Sequence, residues 1–247
     1  MKNHSNALTV RKTRRLWLTI FIPLLVIVLG ISEAWDLRSL HLARQIYGDD
    51  PNLSATPRSL LQTSVIPLNG IRLKQFGFSF QIPWTERDFD RPSTSVDVFH
   101  FRGGGTVFVY NPYTQIVPVM MPCIGASKSV STNYERMSAE LQATPSALHW
   151  WSPLRNARTM DLLSLKSFEF KTVEGEMLRG GVYVQQSGEL RGYQLGDPAV
   201  SPYSVDLKLY DHEDRLYRVS IAGSQENHQI ITQSQINAIV ASLQPIQ

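Results

Sequence analysis

At 247 residues, 43% hydrophobic and 18% charged, the chain is globular in composition, which excludes a disordered polyelectrolyte. Its formal net charge of +3 invites a nucleic-acid reading, but the distribution of that charge excludes it. Lys2, Arg11, Lys12, Arg14 and Arg15 lie in the first 35 residues against Glu33 alone, so residues 36–247 hold 19 basic and 20 acidic residues and lack the field that neutralises many phosphates.

Behind a basic tail (1–15), the stretch "LWLTIFIPLLVIVLGIS" (16–32) holds no charged residue. It predicts a transmembrane helix over 16–35, with Trp17 and Trp35 near the two interfaces. The basic flank then places the N-terminus in the cytoplasm and the body outside it, as a single-pass signal-anchor protein of the cell membrane. The alternative is a cleaved signal peptide, with Ser32-Glu33-Ala34 as the cleavage pattern and a secreted or periplasmic body.

Residues 36–64 read as a linker or stalk, opening with a short helical pattern that Pro51 stops and continuing rich in Ser, Thr and Pro. The domain is expected over 65–247. "FGFSFQIPW" (76–84) alternates Phe76, Phe78, Phe80 and Ile82 against small or polar residues, the period of a half-buried strand. "SVDVFHF" and "TVFVY" flank Gly103, Gly104 and Gly105. A phosphate loop would lead into a helix; here β-branched and aromatic residues follow, so the segment predicts a hairpin whose glycines supply positive φ.

A helical region follows. Thr132 and Glu135 form a capping box, and Tyr134, Met137 and Leu141 fall at helical spacing. "SALHWW" and "LRNARTMDLLSL" predict one or two further short helices. Trp150 and Trp151 are adjacent and cannot share one helical face, which makes them the candidate contact for a protein partner. "SFEFKTV", "GGVYVQQ", "ELRGYQL", "YSVDLKLY" and "RLYRVSIAG" predict successive antiparallel strands with short turns. A last helix starts at the Thr232–Gln235 capping box and carries Ile236, Ile239, Val240 and Leu243 on one stripe. The fold class is α+β: an N-terminal transmembrane helix, then a mostly antiparallel sheet with packed helices.

The residues that look most like metal ligands are Asp211, His212, Glu213 and Asp214, but they sit between two strands. They predict a hairpin turn that can be replaced as a block without effect. Glu86, Asp88 and Asp90 read as a solvated loop, His100 as a half-buried strand residue, and Cys123 as a small apolar residue. No nucleophile elbow or metalloprotease signature is present, and no catalytic residue, metal or cofactor is assigned.

Two segments, "FGFSFQIPW" and "VDLKLYDHEDRLYRVSIAGS" with the helix that follows to Leu243, resemble the PsbP-like fold, which includes photosystem extrinsic proteins, Mog-type proteins and several bacterial lipoproteins. They cover about 60 residues and carry over no functional residue. The resemblance implies an α/β/α sandwich that acts by binding or assembly. The expected function is a non-catalytic binding or assembly module. Its expected partners are the membrane, through 16–35, and a protein, with no nucleic acid. The alternative is a membrane-anchored enzyme with an unrecognised site.

Overall fold

The computed structural model describes residues 20–28, 30–31, 37–38, 40–60, 63–102, 105–113, 132–149, 153–170, 180–199, 204–223 and 231–246. Helix α1 (Pro51–Ser54) leads into β1 (Pro57–Arg58), followed by β2 (Arg72–Gln75), β3 (Phe78–Gln81), β4 (Arg87–Arg91), β5 (Val96–Phe101) and β6 (Thr106–Tyr110). Helices α2 (Asn133–Gln142) and α3 (Pro153–Phe170) flank a 3-10 turn at Pro145–Ala147. The second half runs β7 (Val182–Ser187), β8 (Leu190–Leu195), β9 (Ser204–Tyr210), β10 (Leu216–Ala222), α4 (Gln233–Ser242) and β11 (Gln244–Pro245).

Eight strands form one sheet in the order β1-β7-β8-β9-β10-β6-β5-β4, and β11-β3-β2 form a second, small one. β1 joins β7 in parallel, whereas β7 through β10 make an antiparallel meander, as their short connections require. The small sheet and α4 cover one face of the large sheet. Phe78, Phe80 and Ile82 meet Val107, Val109, Leu207, Val219 and Ile221, and Ile236, Ile239, Val240 and Leu243 close the same core. Helix α2 covers part of the other face, packing Met137 and Leu141 on Val182, Tyr193, Leu195 and Tyr210. Both predicted capping boxes are formed, at Thr132–Glu135 and Thr232–Gln235.

The expected transmembrane helix, and with it the single-pass architecture, is overturned. Among the described residues no helix is long and apolar enough to cross a membrane. Among them, residues 20–28 and 30–31 are helical. The proposed cleavage site at Ser32–Ala34 lies outside the described residues.

Three further expectations change. "SFEFKTV" alternates like a strand, yet α3 runs on through Phe170. Its partners explain this: Lys166, four residues before that end, is anchored within the helical layer, and the helix continues past it. Phe76 and Gly77 are not strand residues but a two-residue turn with φ of 49° and 81°, the doubly positive geometry that matches hairpin twist. Gly105 earns its place by closeness rather than by φ, since a Cβ there would lie 2.7 Å from the Trp84 indole, which stacks on Phe101.

Residues 40–58 are folded against the body. Leu40, Ala43 and Leu53 are buried with Ala143, Leu148 and Leu163, Tyr47 hydrogen-bonds Ser164 at 3.0 Å, and Arg44 donates to the Leu148 carbonyl. Lys166 holds this layer together. Its side chain is fully buried, and its ammonium donates to the carbonyls of Leu53 (3.2 Å), Ala55 (2.6 Å), Leu141 (3.1 Å) and Ala143 (3.0 Å). Those carbonyls end α1 and α2, where helix dipoles favour a cation.

Burial pushes the Lys166 ammonium down from 10.5 to about 8, and the Glu140 and Asp50 charges pull the other way. The unfolded chain therefore holds one more proton across that window, and this group makes stability rise with pH between about 8 and 10. Above about 10, ionisation of tyrosines in the unfolded chain works against it. Lys166→Met should cost about 2–5 kcal/mol at pH 7, because four helix-end carbonyls lose their donor, and should flatten the alkaline rise, both read by urea unfolding across pH. Leu243→Ala should cost about 2–5 kcal/mol in the same assay, as a buried leucine truncation does; a cost under about 0.5 kcal/mol would mean that α4 is not docked.

Candidate functional site

The four ligand-like residues form the turn between β9 and β10, and they do not converge. Asp211 is buried at its base. Its Oδ1 accepts from the N–H groups of Glu213 (2.9 Å) and Arg215 (3.0 Å), and its Oδ2 accepts from the Tyr217 hydroxyl (2.7 Å). Asp214 adopts φ of 62° and turns the other way, so that its carboxylate accepts the N–H groups of Asn133 (2.5 Å) and Tyr134 (3.0 Å) at the start of α2. His212 and Glu213 are exposed. The expectation that the block can be replaced without effect is therefore corrected: Asp211 shapes the turn, and Asp214 fastens α2 to it.

Burial pushes the Asp211 carboxyl up, but the hydrogen bonds from Tyr217, Arg215 and Glu213 and the Arg215 charge outweigh it and hold the carboxyl below its ordinary value. Burial first, then the Asp211 charge, raise the Tyr217 hydroxyl far above its ordinary value.

This docking leaves a cavity of about 200 Å³ between the turn, the end of β6 and the first turn of α2. Arg136, Arg215, Asp214 and Tyr113 line it, with Leu216 as an apolar wall. Arg215 is held by Glu213 and, at 3.3 Å, by Asp211. Arg136 differs: its Nε is buried and meets no partner. Below the cavity, α2 sits on the sheet through rings. Tyr134 stacks on Tyr193 at 5.8 Å, meets Tyr210 edge-on at 5.9 Å and carries the Arg191 guanidinium 4.1 Å above it. Burial is the main reason that the Tyr193 hydroxyl is pushed up to about 12.

A second polar cluster lies on the same sheet face. Asp206 is fully buried. Its Oδ1 accepts from Ser220 Oγ (2.5 Å) and Arg218 Nε (3.1 Å), and Arg218 Nη2 lies 3.0 Å from Oδ2. The Arg218 guanidinium also sits 4.3 Å above the Tyr110 ring. Every group in this cluster holds another, and none presents an open reactive atom to the cavity.

The remaining candidates scatter. Asp88 and Asp90 belong to the exposed edge strand β4 rather than to a loop, and Arg87 pairs with Asp90 at 2.9 Å while Arg102 pairs with Glu86 at 2.6 Å. His100 hydrogen-bonds Thr106 at 2.9 Å and stacks on Phe89 at 4.0 Å. Trp150, Trp151 and Cys123 lie outside the described residues. Among the described residues no three His, Cys, Asp or Glu side chains are grouped to hold a metal ion. Sequence reasoning missed Arg136 and Lys166. For Lys166 a signal existed, since a lone lysine falls three residues after Leu163 on the face that packs inward.

No protein-family model matches the chain, nor does any curated protein or solved structure.

Asp211→Asn should cost about 1–3 kcal/mol at pH 7 by weakening three charge-assisted hydrogen bonds. The folded carboxyl titrates below the unfolded one, so its stabilisation is present above about pH 4 and is lost as pH falls. The difference between variant and parent should therefore shrink toward pH 2. Asp214→Ala should cost about 0.5–2 kcal/mol, as loss of an N-cap does. Urea unfolding at the two pH values checks both.

Proposed function

We propose that the chain is a non-catalytic binding or assembly module held at a lipid surface by its apolar N-terminal stretch. The observation that carries this is the exposure of the large apolar side chains at 20–28 and 31. Ile20, Phe21, Ile22, Leu24, Leu25, Val26, Ile27, Val28 and Ile31 are each 55–64% exposed, on all sides of the helix. Nine large apolar side chains in water are unfavourable at about 25 cal/mol per Å², so a cover is required. The basic residues Arg11, Lys12, Arg14 and Arg15 just before them favour anionic lipid, and two such signals together give firmer attachment than either alone.

Two features support the binding reading for the body. Its buried charges Lys166, Asp206 and Asp211 are engaged in holding helices, strands and a turn, which is structural work. The likeness of 76–84 and 205–243 to the PsbP-like fold points to binding and assembly as well.

Flotation of the full chain with vesicles tests attachment. The chain should float with phosphatidylcholine vesicles, float more completely when phosphatidylserine is added, and stay bound after a high-salt wash. Replacing Leu24, Leu25 and Val28 by Lys should leave it in the dense fraction. Equal flotation of that variant, or none of the parent, would sink the lipid reading.

A further inference from the structure

We propose that the open half of the β7 edge is a docking site for an extended, uncharged peptide segment of a partner protein, which adds to the large sheet as a strand beside β7. The site names the kind of partner for the body as a binding module and rests on that reading. β7 pairs with β8 along its whole length, from Val182 to Ser187. On its other side β1 reaches only Val182 and Tyr183. Among the described residues, 184–187 meet no further strand there, and no backbone hydrogen bond ties them to a loop. In a strand paired antiparallel to one neighbour, every second residue turns its N–H and its C=O away from that neighbour. The open half of β7 is therefore a template of donors and acceptors about 13 Å long, at roughly 3.3 Å per residue.

The two edges of the sheet differ in how they meet water. At the far edge β4 reads Arg-Asp-Phe-Asp-Arg, shifts register between Arg87 and Phe89, and is followed by Pro92. Charges, an irregular register and proline are the features that keep an edge strand from pairing. Residues 184–187, Val-Gln-Gln-Ser, carry none of them, and their register with β8 is unbroken.

The surroundings shape the open edge into a cleft. The chain leaves β1 after Arg58 and crosses to α4, where Asn237 Nδ2 donates to the Ser64 carbonyl at 3.0 Å and the Ser64 and Ser234 hydroxyls meet at 3.0 Å. Between this crossing, the β7 edge and α4 lies a cavity of about 400 Å³. Leu60, Val65, Val184 and Val240 give it apolar wall, and no charged side chain lines it. Its buried amides are engaged with one another and with backbone: Gln185 donates to Gln194 at 2.8 Å, and Asn237 to Ser64. Recognition therefore falls to the β7 backbone, which matches any extended peptide, while the apolar wall favours β-branched side chains at alternate positions. A charged segment would lose its water in the cleft and meet no counter-charge. A second copy of this chain does not fit, because its own β7 edge carries the same crossing segment and the two crossings would collide.

A phage-displayed library of random nonapeptides, panned on the full chain in non-ionic detergent, tests this. Uncharged sequences with Val, Ile or Thr at alternate positions should be enriched. The enriched peptides, made with capped ends, should bind in calorimetric titration. N-methylating one alternate set of their amides should weaken binding about tenfold or more, because only one set faces the β7 edge. The double variant Val184→Lys, Gln186→Lys puts charge on two exposed side chains of this edge. It should weaken binding about tenfold or more and leave the melting temperature unchanged. If that variant does not fold, hydrogen exchange in the parent decides: bound peptide should slow exchange of amides within 184–187 and leave β4 as it was. No enriched peptide, enrichment of charged sequences alone, binding that survives methylation of both sets of amides, equal binding to the variant, or unchanged exchange at 184–187 overturns the proposal. Vesicle flotation of the same preparations separates the two readings. Flotation without peptide binding removes this site alone, and peptide binding without flotation removes the lipid attachment alone.

Discussion

A lysine ammonium buried between two helix ends is the constraint on which the helical side of the body depends. Lys166 has three hydrogens and meets four carbonyls, at the ends of α1 and α2. Backbone carbonyls at helix ends have no partner inside their own helix, and burial denies them water. The ammonium answers two helix ends at once from a third helix, α3. Three consequences follow. The start of the body, from Leu40 to Arg58, is held to its middle. β1 is brought to the edge of β7, where its parallel pairing extends the sheet. And α2 is held at its C-terminal end while Asp214 holds it at the other. The helix is pinned at both ends by charge, so the cavity at its first turn has a defined shape.

The sheet imposes a second constraint, because its central strands are buried on both faces. β9 shows this most clearly. Val205, Leu207 and Leu209 point into the core under the small sheet, while Asp206, Lys208 and Tyr210 point the other way and are equally buried. A strand with apolar and charged residues alternating would ordinarily put the charges in water. Here Asp206 is met by Ser220 and by both a side nitrogen and the Nε of Arg218. Desolvation largely offsets the attraction in such a pair, so the gain in stability is small. What the pair adds is register: a two-residue slip of β10 against β9 would separate Arg218 and Ser220 from the one carboxylate they share, and a one-residue slip would turn every side chain to the wrong face.

Patterns that depend on local spacing were legible in the sequence. The Phe78, Phe80, Ile82 alternation, both capping boxes, the strand meander and the stripe of α4 each follow from a period or a cap and were found where expected. Contacts between distant segments were not legible. Ser167-Phe168-Glu169-Phe170 alternates as a strand would, but α3 had already been stabilised by Lys166 and local propensity gave way to that tertiary contact. Gly105 reads as a turn residue until Trp84 is seen beside it. The turn at Asp211–Asp214 was recognised, yet its importance was hidden, since nothing local says that Asp214 reaches 80 residues back to Tyr134.

The buried charges at Lys166, Asp206 and Asp211 belong with those long-range contacts. Lys166, Asp206 and Asp211 each have more than one partner, and each set of partners joins segments far apart in the chain. Selection for folding alone explains them. The apolar residues between 20 and 31 do the opposite: nine large apolar side chains there are exposed, and water makes each of them unfavourable. Folding alone would favour polar residues at those positions. An apolar medium around them would turn that cost into a gain, which is the physical basis of the lipid attachment proposed above.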